Sequence, residues 1–352
     1  MRLNDRTKTI LINVVTTLVL ALILEALLGF ALRHPSIIPD LANKTYRHFY
    51  DSEDRAILQV TDCAEWDPQL FYRFKPGKCA FVNREFDVIN NINSAGLRDD
   101  EASLDNPSVV IFGDSYTMGW GVSQDKMYPQ KLETLSRLKI LNAGVSSFGT
   151  AREMKLLDKL GYGYVNTVII QYHSNDYEEN MKSIQHDYVL PISPKKTYDS
   201  LKQNIAERVR YYPFKYLKGI AKSALYTLRS PDEDAAVNDK LEAQAFLDIL
   251  AHSNIDKIAS RILVFKIDHN VNNDGIVNAL DVLAKDEKYA ALNLSTIRLK
   301  GTFDKSDYFI LDAHLNAQGH VKLAAKLNEY LKVRPESTII AKNYDDGGEI
   351  GQ

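Results

Sequence analysis

The chain has 352 residues, 45% of them hydrophobic and 25% charged, with a formal net charge of −3. That apolar content suffices for a sizeable core, and the near-balanced charge gives no global argument for nucleic acid, so no nucleic-acid partner is expected. No internal repeat of about 20–50 residues is visible, which excludes a solenoid or propeller.

The first element is the run Thr9–Leu32, TILINVVTTLVLALILEALLGFAL, which is almost wholly apolar. A spanning helix needs about 20 such residues. Arg2, Arg6 and Lys8 precede it, with Asp5 as the only acid. Basic flanks stay in the cytoplasm, so residues 1–8 read as a cytoplasmic tail and 9–32 as a transmembrane anchor. The rest of the chain then faces outward, to a periplasm or cell surface. A cleavable signal peptide competes, because Gly29-Phe30-Ala31 resembles a cleavage site; signal cores, however, run only about 7–15 residues. Glu25 interrupts the apolar run and reads as an interface residue or as the partner of another helix.

Residues 33–105 read as a membrane-proximal, β-rich region of short strands and loops. Its two cysteines, Cys63 and Cys79, flank a Pro76-Gly77 turn. In an oxidising compartment a disulfide is expected, stabilising by about 3 kcal/mol; two free thiols are the alternative. Without a nearby histidine the pair does not make a zinc site.

From residue 106 short apolar runs alternate with helical stretches: SVVIFG, LKILNA, VNTVIIQY, SRILVFKI and LNLSTIRL, separated by segments such as YPQKLETLSR and TAREMKLLDKLG. This alternation predicts an α/β domain over 106–333, with a parallel sheet covered on both faces. Thr150 to Glu153 fits a capping box, and Asn316 fits a cap for the last helix. A basic, aromatic-rich helical insertion spans about 180–255, including Tyr211, Tyr212, Phe214, Tyr216 and Tyr226. It reads either as a cap touching anionic headgroups or glycans, or as a solvated basic face with aromatics in the core. Asn270, Asn272, Asp274, Gly275 and Asp281 mimic the spacing of a calcium loop, but the stretch fits a polar loop entering a helix equally well. Residues 334–352 read as a polar tail.

Ligands of open α/β sheets bind beyond the carboxyl ends of the strands. The first strand delivers Gly113-Asp114-Ser115 there, the second NAGVSSFGT with Gly144, and the third QYHSNDYEEN with Asn175. Asp312 and His314 precede the last helix. A serine hydroxyl attacks only when a base removes its proton; His314 supplies the base and Asp312 orients it. The N–H groups of Ser115 and Gly144 and the amide of Asn175 are the candidate oxyanion donors. Asp114, Asp176 and His320 read as structural. Tyr116 and Trp120 either line a pocket or pack. An α/β-hydrolase elbow is excluded because Thr117 stands where its second glycine would be.

In this order GDSYTMG, NAGVSSFGTARE, HSND and DAHLNAQGH resemble the blocks of the SGNH, or GDSL-like, hydrolase superfamily. The upstream NSAGLRDDE resembles the lead-in of membrane-anchored members. The resemblance covers 106–333 and implies a flavodoxin-like three-layer α/β/α sandwich, preceded here by the transmembrane helix. It implies Ser115 as nucleophile, His314 as base, an oxyanion hole of Ser115, Gly144 and Asn175, and no metal or organic cofactor. Two departures stand out. His173 replaces the usual glycine, and Asp312 lies two residues before His314 rather than three. The latter spacing occurs in members resembling polysaccharide acetyltransferases. The expected activity is a serine esterase acting on acyl esters of an envelope carbohydrate or lipid. An O-acyltransferase modifying a surface polysaccharide uses the same triad, and a non-catalytic glycan-binding module is the alternative of a different class.

Overall fold

The computed structural model describes residues 4–49, 61–229, 238–268 and 274–332. The expected tail, 334–352, and residues 270–273 of the calcium-like loop, with Asn270 and Asn272, lie outside the described residues, and so does the side chain of Tyr226.

Helix α1 (Asp5–Arg33) is long and apolar enough to cross a membrane. Its amino end is capped by Asn4, whose Oδ1 accepts the Thr7 N–H at 3.0 Å. Most of its side chains are exposed, but Glu25, Leu28, Gly29, Ala31 and Leu32 are buried. The reading of 33–105 as strands and loops is corrected at its start, where Pro39–Phe49 form α2. Proline costs nothing in a first turn, whose N–H lacks an intrahelical partner anyway. Ala42, Thr45 and Tyr46 are buried, the i, i+3, i+4 stripe of an amphipathic helix.

Two antiparallel pairs follow, β1 (Ala64–Asp67) with β2 (Phe71–Phe74), and β3 (Gly77–Val82) with β4 (Asp87–Ile92). Along β3 the alternate residues Cys79 and Phe81 are buried, as expected of a half-covered strand. Cys63 and Cys79 are disulfide-bonded with a Cα–Cα distance of 5.4 Å, tying the two pairs together.

The central sheet consists of β5 (Val109–Phe112), β6 (Ile140–Asn142), β7 (Val165–Tyr172), β8 (Ala259–Lys266) and β9 (Leu294–Ile297), in the order β6-β5-β7-β8-β9. Every pair is parallel. The remaining helices are α3 (Ser115–Met118), α4 (Tyr128–Ser136), α5 (Thr150–Leu160), α6 (Asp176–Ile184), α7 (Lys195–Val209), α8 (Lys215–Arg229), α9 (Asp239–Ala251), α10 (Ile255–Ile258), α11 (Gly275–Leu283) and α12 (Ala317–Lys332).

Period-two alternation divides the strands between two cores. Val109, Ile111, Ile169 and Leu263 pack with Leu132 of α4 and Leu327 of α12. The intervening Val110, Phe112, Val168 and Ile170 pack with Leu157 of α5 and Phe246 of α9. Both faces are therefore dry, and the architecture is the three-layer α/β/α sandwich. Because the chain moves outward from β5 to β6 and returns to β7, a crevice opens at the strand ends where the order reverses.

The expected capping box on α5 does not form. Gly149 is the cap residue, and Thr150 instead donates its hydroxyl to Asp176 Oδ2 at 3.0 Å. The first N–H groups of α5 are bound by α6: Glu179 accepts from Gly149 and Arg152, and Asn180 from Ala151. Tertiary acceptors thus displace the local cap. Asn316 does cap α12, accepting from Gln318 and Gly319 at 2.9 and 3.2 Å.

Candidate active site

β5 ends at Phe112, and the chain turns through Gly113 into α3. Gly113 has φ +154°, and a Cβ there would stand 2.1 Å from Thr117 Oγ1 and 2.5 Å from Gln171 Oε1. Glycine is therefore required by close packing and backbone conformation together. Asp114 caps α3 by accepting the Tyr116 N–H at 2.9 Å, which is the loop-organising role expected of it. Its own N–H donates to Gln171 Oε1 at 3.0 Å, pinning the turn to β7.

Ser115 opens α3 and is 8% exposed. Its Oγ lies 2.7 Å from His314 Nε2. The opposite ring nitrogen, Nδ1, faces Asp312 Oδ1. With the carboxylate accepting from Nδ1–H, Nε2 is left as the acceptor for the serine proton. Burial pushes the Asp312 carboxyl up, but His314 and the hydrogen bonds from its ring, its backbone N–H and Trp120 outweigh that and hold it below the usual range. Asp312 therefore stays ionised, as an orienting anion must.

Several residues that support this relay were not singled out from the sequence for that role. Trp120 Nε1 donates to Asp312 Oδ2 at 3.0 Å, and its ring stacks on His314 with centroids 4.9 Å apart. Tyr116 donates its hydroxyl to the Ala313 carbonyl at 2.9 Å. Glu85, in the turn between β3 and β4, accepts from the consecutive N–H groups of Ile310, Leu311 and Asp312 at 2.7, 2.8 and 3.0 Å. Three successive N–H groups aimed at one carboxylate form an anion nest. Arg98, fully buried, donates to the carbonyls of Met118, Gly119 and Val122. Burial lowers that guanidinium to about 9. Asp99 accepts the Asn142 N–H at 2.8 Å, and burial pushes its carboxyl up to about 7. Two residues of NSAGLRDDE thus brace the loops after β5 and β6.

The candidate oxyanion donors are placed as follows. The N–H of Ser115 begins α3, where it has no intrahelical acceptor. Gly144 lies in the turn after β6, but its N–H donates to Asn142 Oδ1 at 3.0 Å. A Cβ at Gly144 would approach Met118 N to 2.4 Å, so this glycine lets the turn pack against α3. Asn175 is exposed, precedes α6 and makes no side-chain cap bond. The odd His173 accepts the Asn175 N–H on Nδ1 at 3.2 Å and stacks beside Tyr116. Asp281, one of the calcium-like set, pairs with Arg298 and Thr296.

His320 is buried behind the site, where its Nδ1 accepts the Tyr128 N–H at 3.2 Å. The Tyr128 hydroxyl in turn lies 2.8 Å from Thr117 Oγ1. Burial, with Arg98 and His314 adding repulsion, lowers His320 from 6.5 to about 3. Its neutral form therefore belongs to the folded state. This contribution is complete above pH 6.5 and is lost as pH falls from 6.5 towards 3. His320→Asn keeps an acceptor near Nδ1 and removes the titration. Denaturant unfolding across that window should show a shallower acid-side loss for His320→Asn than for the parent; parallel curves would refute the assignment.

No protein-family model matches the chain, and no curated protein does. Among solved structures, the chain is similar to a member of the lipolytic protein G-D-S-L family from Veillonella parvula DSM 2008. The identity is 13%, over 64% of this chain and 98% of that one, with TM-score 0.33. It is also similar to a putative lipolytic protein of the G-D-S-L family from Desulfitobacterium hafniense DCB-2, at 14% over 64% of this chain and 99% of that one, TM-score 0.31. A third, a putative GDSL-like lipase from Bacteroides ovatus ATCC 8483, is 14% identical over 64% of this chain and 52% of that one, TM-score 0.32. These solved structures carry the name of the family whose sequence blocks the chain resembles.

Proposed function

We propose that the protein is a membrane-anchored serine esterase of SGNH type, with its catalytic domain outside the cytoplasm, acting on acyl esters of an envelope carbohydrate or lipid. One observation carries the reading: Ser115, His314 and Asp312 form a continuous hydrogen-bonded relay at the carboxyl end of a parallel sheet. His314 Nε2 takes the Ser115 proton as Oγ attacks the ester carbonyl. The acyl group passes to Oγ, and the leaving alcohol takes the proton back from His314. Water, deprotonated by the same imidazole, then releases the acid and frees the serine. The oxyanion is held by the Ser115 N–H and the Asn175 amide. The Gly144 N–H joins them on exchanging its bond to Asn142 for the substrate oxygen.

The spacing of Asp312 and His314 favours a second reading, in which a sugar hydroxyl replaces water as acceptor. Incubating the enzyme with an acetyl donor and candidate glycans, and comparing free acetate with acetylated glycan, separates the two. The esterase reading expects free acetate at the same rate with or without glycan. Acetyl recovered mainly on the glycan would replace it with the transferase.

A further inference from the structure

Glu25 lies well inside the apolar helix α1, yet it is buried and bonded. Its two carboxylate oxygens accept the N–H groups of Tyr216 and Leu217 at 3.1 and 3.0 Å. Those N–H groups belong to the first turn of α8, so Glu25 is the amino-terminal cap of a helix from the basic insertion. The two features require each other. A carboxylate within lipid needs donors, and a helix start within lipid needs acceptors, because no water reaches either.

The depth follows from helix geometry. The run Thr9–Leu32 is about 36 Å long against a hydrocarbon core of about 30 Å, which leaves Glu25 about 7 Å below the lipid boundary. Helix α8 therefore starts at that depth. Gly29 permits the contact, since a Cβ there would stand 3.1 Å from the Tyr216 ring. Leu28, Leu32, Ala42, Tyr46 and Tyr216 share one apolar cluster, with Leu217 and Ile220 against it. Beyond this contact α8 turns apolar residues outward: Ala221 and Ala224 are exposed, and Leu225 is 57% exposed. Lys218 and Lys222 are exposed on the same helix. On the neighbouring elements Leu27, Phe30, Ile37 and Leu41 are exposed as well. Apolar residues flanked by lysines, continuous with a spanning helix, fit the boundary between acyl chains and headgroups.

The same cluster contains Leu311, and Asn43 of α2 donates to the Ile310 carbonyl at 2.6 Å. Leu311 is three residues before His314, which confines the His314 Cα to within about 11 Å of the Leu311 Cα in the platform. We propose that the end of α1, with α2 and α8, forms a platform immersed in the adjacent lipid leaflet, and that Ser115 acts on esters carried by that leaflet rather than on soluble polymers. The substrate half of this proposal rests on the esterase reading above; the immersion does not.

The test uses the full chain reconstituted in vesicles of phosphatidylcholine and phosphatidylglycerol with brominated acyl chains. Both native cysteines are paired, so an introduced thiol is the one labelled. A fluorophore on Leu225→Cys should be quenched by the bromolipid, while one on Val282→Cys of α11, a position 70% exposed, should not. Equal quenching at the two positions would overturn the platform. In plain vesicles, an acetyl ester on a lipid should react with a kcat/KM about tenfold or more above the same ester on a soluble sugar, because sharing one leaflet raises effective concentration. Equal or faster turnover of the soluble ester would overturn the substrate assignment. A small aryl acetate runs in parallel: its turnover keeps the esterase reading when the lipid preference fails, and its inertness removes that reading while quenching still decides the platform.

Discussion

Ser115→Ala should lower kcat for a small aryl acetate by about 10⁶, because removing a triad nucleophile leaves only binding and oxyanion stabilisation. The fold should be unaffected, since alanine suits the first position of α3 at least as well as serine. His314→Ala should cost about as much, and the double variant little more, because members of a relay act as one unit. An organophosphorus serine probe should label the parent at Ser115 and leave Ser115→Ala unlabelled. Turnover by Ser115→Ala within about tenfold of the parent would mean that the 2.7 Å contact to His314 is structural only.

The second large effect is expected at Glu85, which touches no substrate and acts through the loop it holds. Its carboxylate gathers the N–H groups of residues 310–312 and so sets the direction in which Asp312 meets His314. Hydrogen bonds to a charged acceptor are worth about 1.5–3 kcal/mol each, and losing the acceptor leaves three donors pointing at one another. Glu85→Ala should therefore reduce kcat by about 10²–10³ with little change in KM, the signature of a misplaced relay. Burial pushes the Glu85 carboxyl up, against the pull of its three N–H partners, so acid should weaken the nest in the parent. Glu85→Gln keeps one acceptor oxygen but turns its amide NH2 towards the remaining N–H groups, and should fall between the two. It should also flatten the acid limb of the pH–rate profile. A role in stability alone predicts a lower Tm with unchanged kcat, and that pattern would remove Glu85 from the catalytic apparatus.

The sheet was legible because each strand is a short, continuous apolar run bounded by turn residues, which a buried parallel strand demands. Helix α2 was not, since its Pro39 and mixed polarity resemble a loop until Ala42, Thr45 and Tyr46 find a partner to bury against. The box at Thr150 failed for the opposite reason: a local rule held until α6 offered better acceptors. Ser115 was legible as a residue type at a strand end, and Asp312 and His314 as residue types just before the last helix. Their support was not, because Trp120 reaches Asp312 across 192 residues of chain and Glu85 reaches it across 227.

Sequence alone determined where the chain would be dry, where it would turn, and which groups could exchange a proton, because those properties belong to each residue and its near neighbours. Tertiary structure alone decided that Glu25 caps α8, that Glu85 holds the loop at 310–312, and that Gly144 lets its turn pack against α3. Each of these depends on a polar or steric demand met by a distant segment, and a buried donor, acceptor or close contact has no preferred partner until folding brings one within reach.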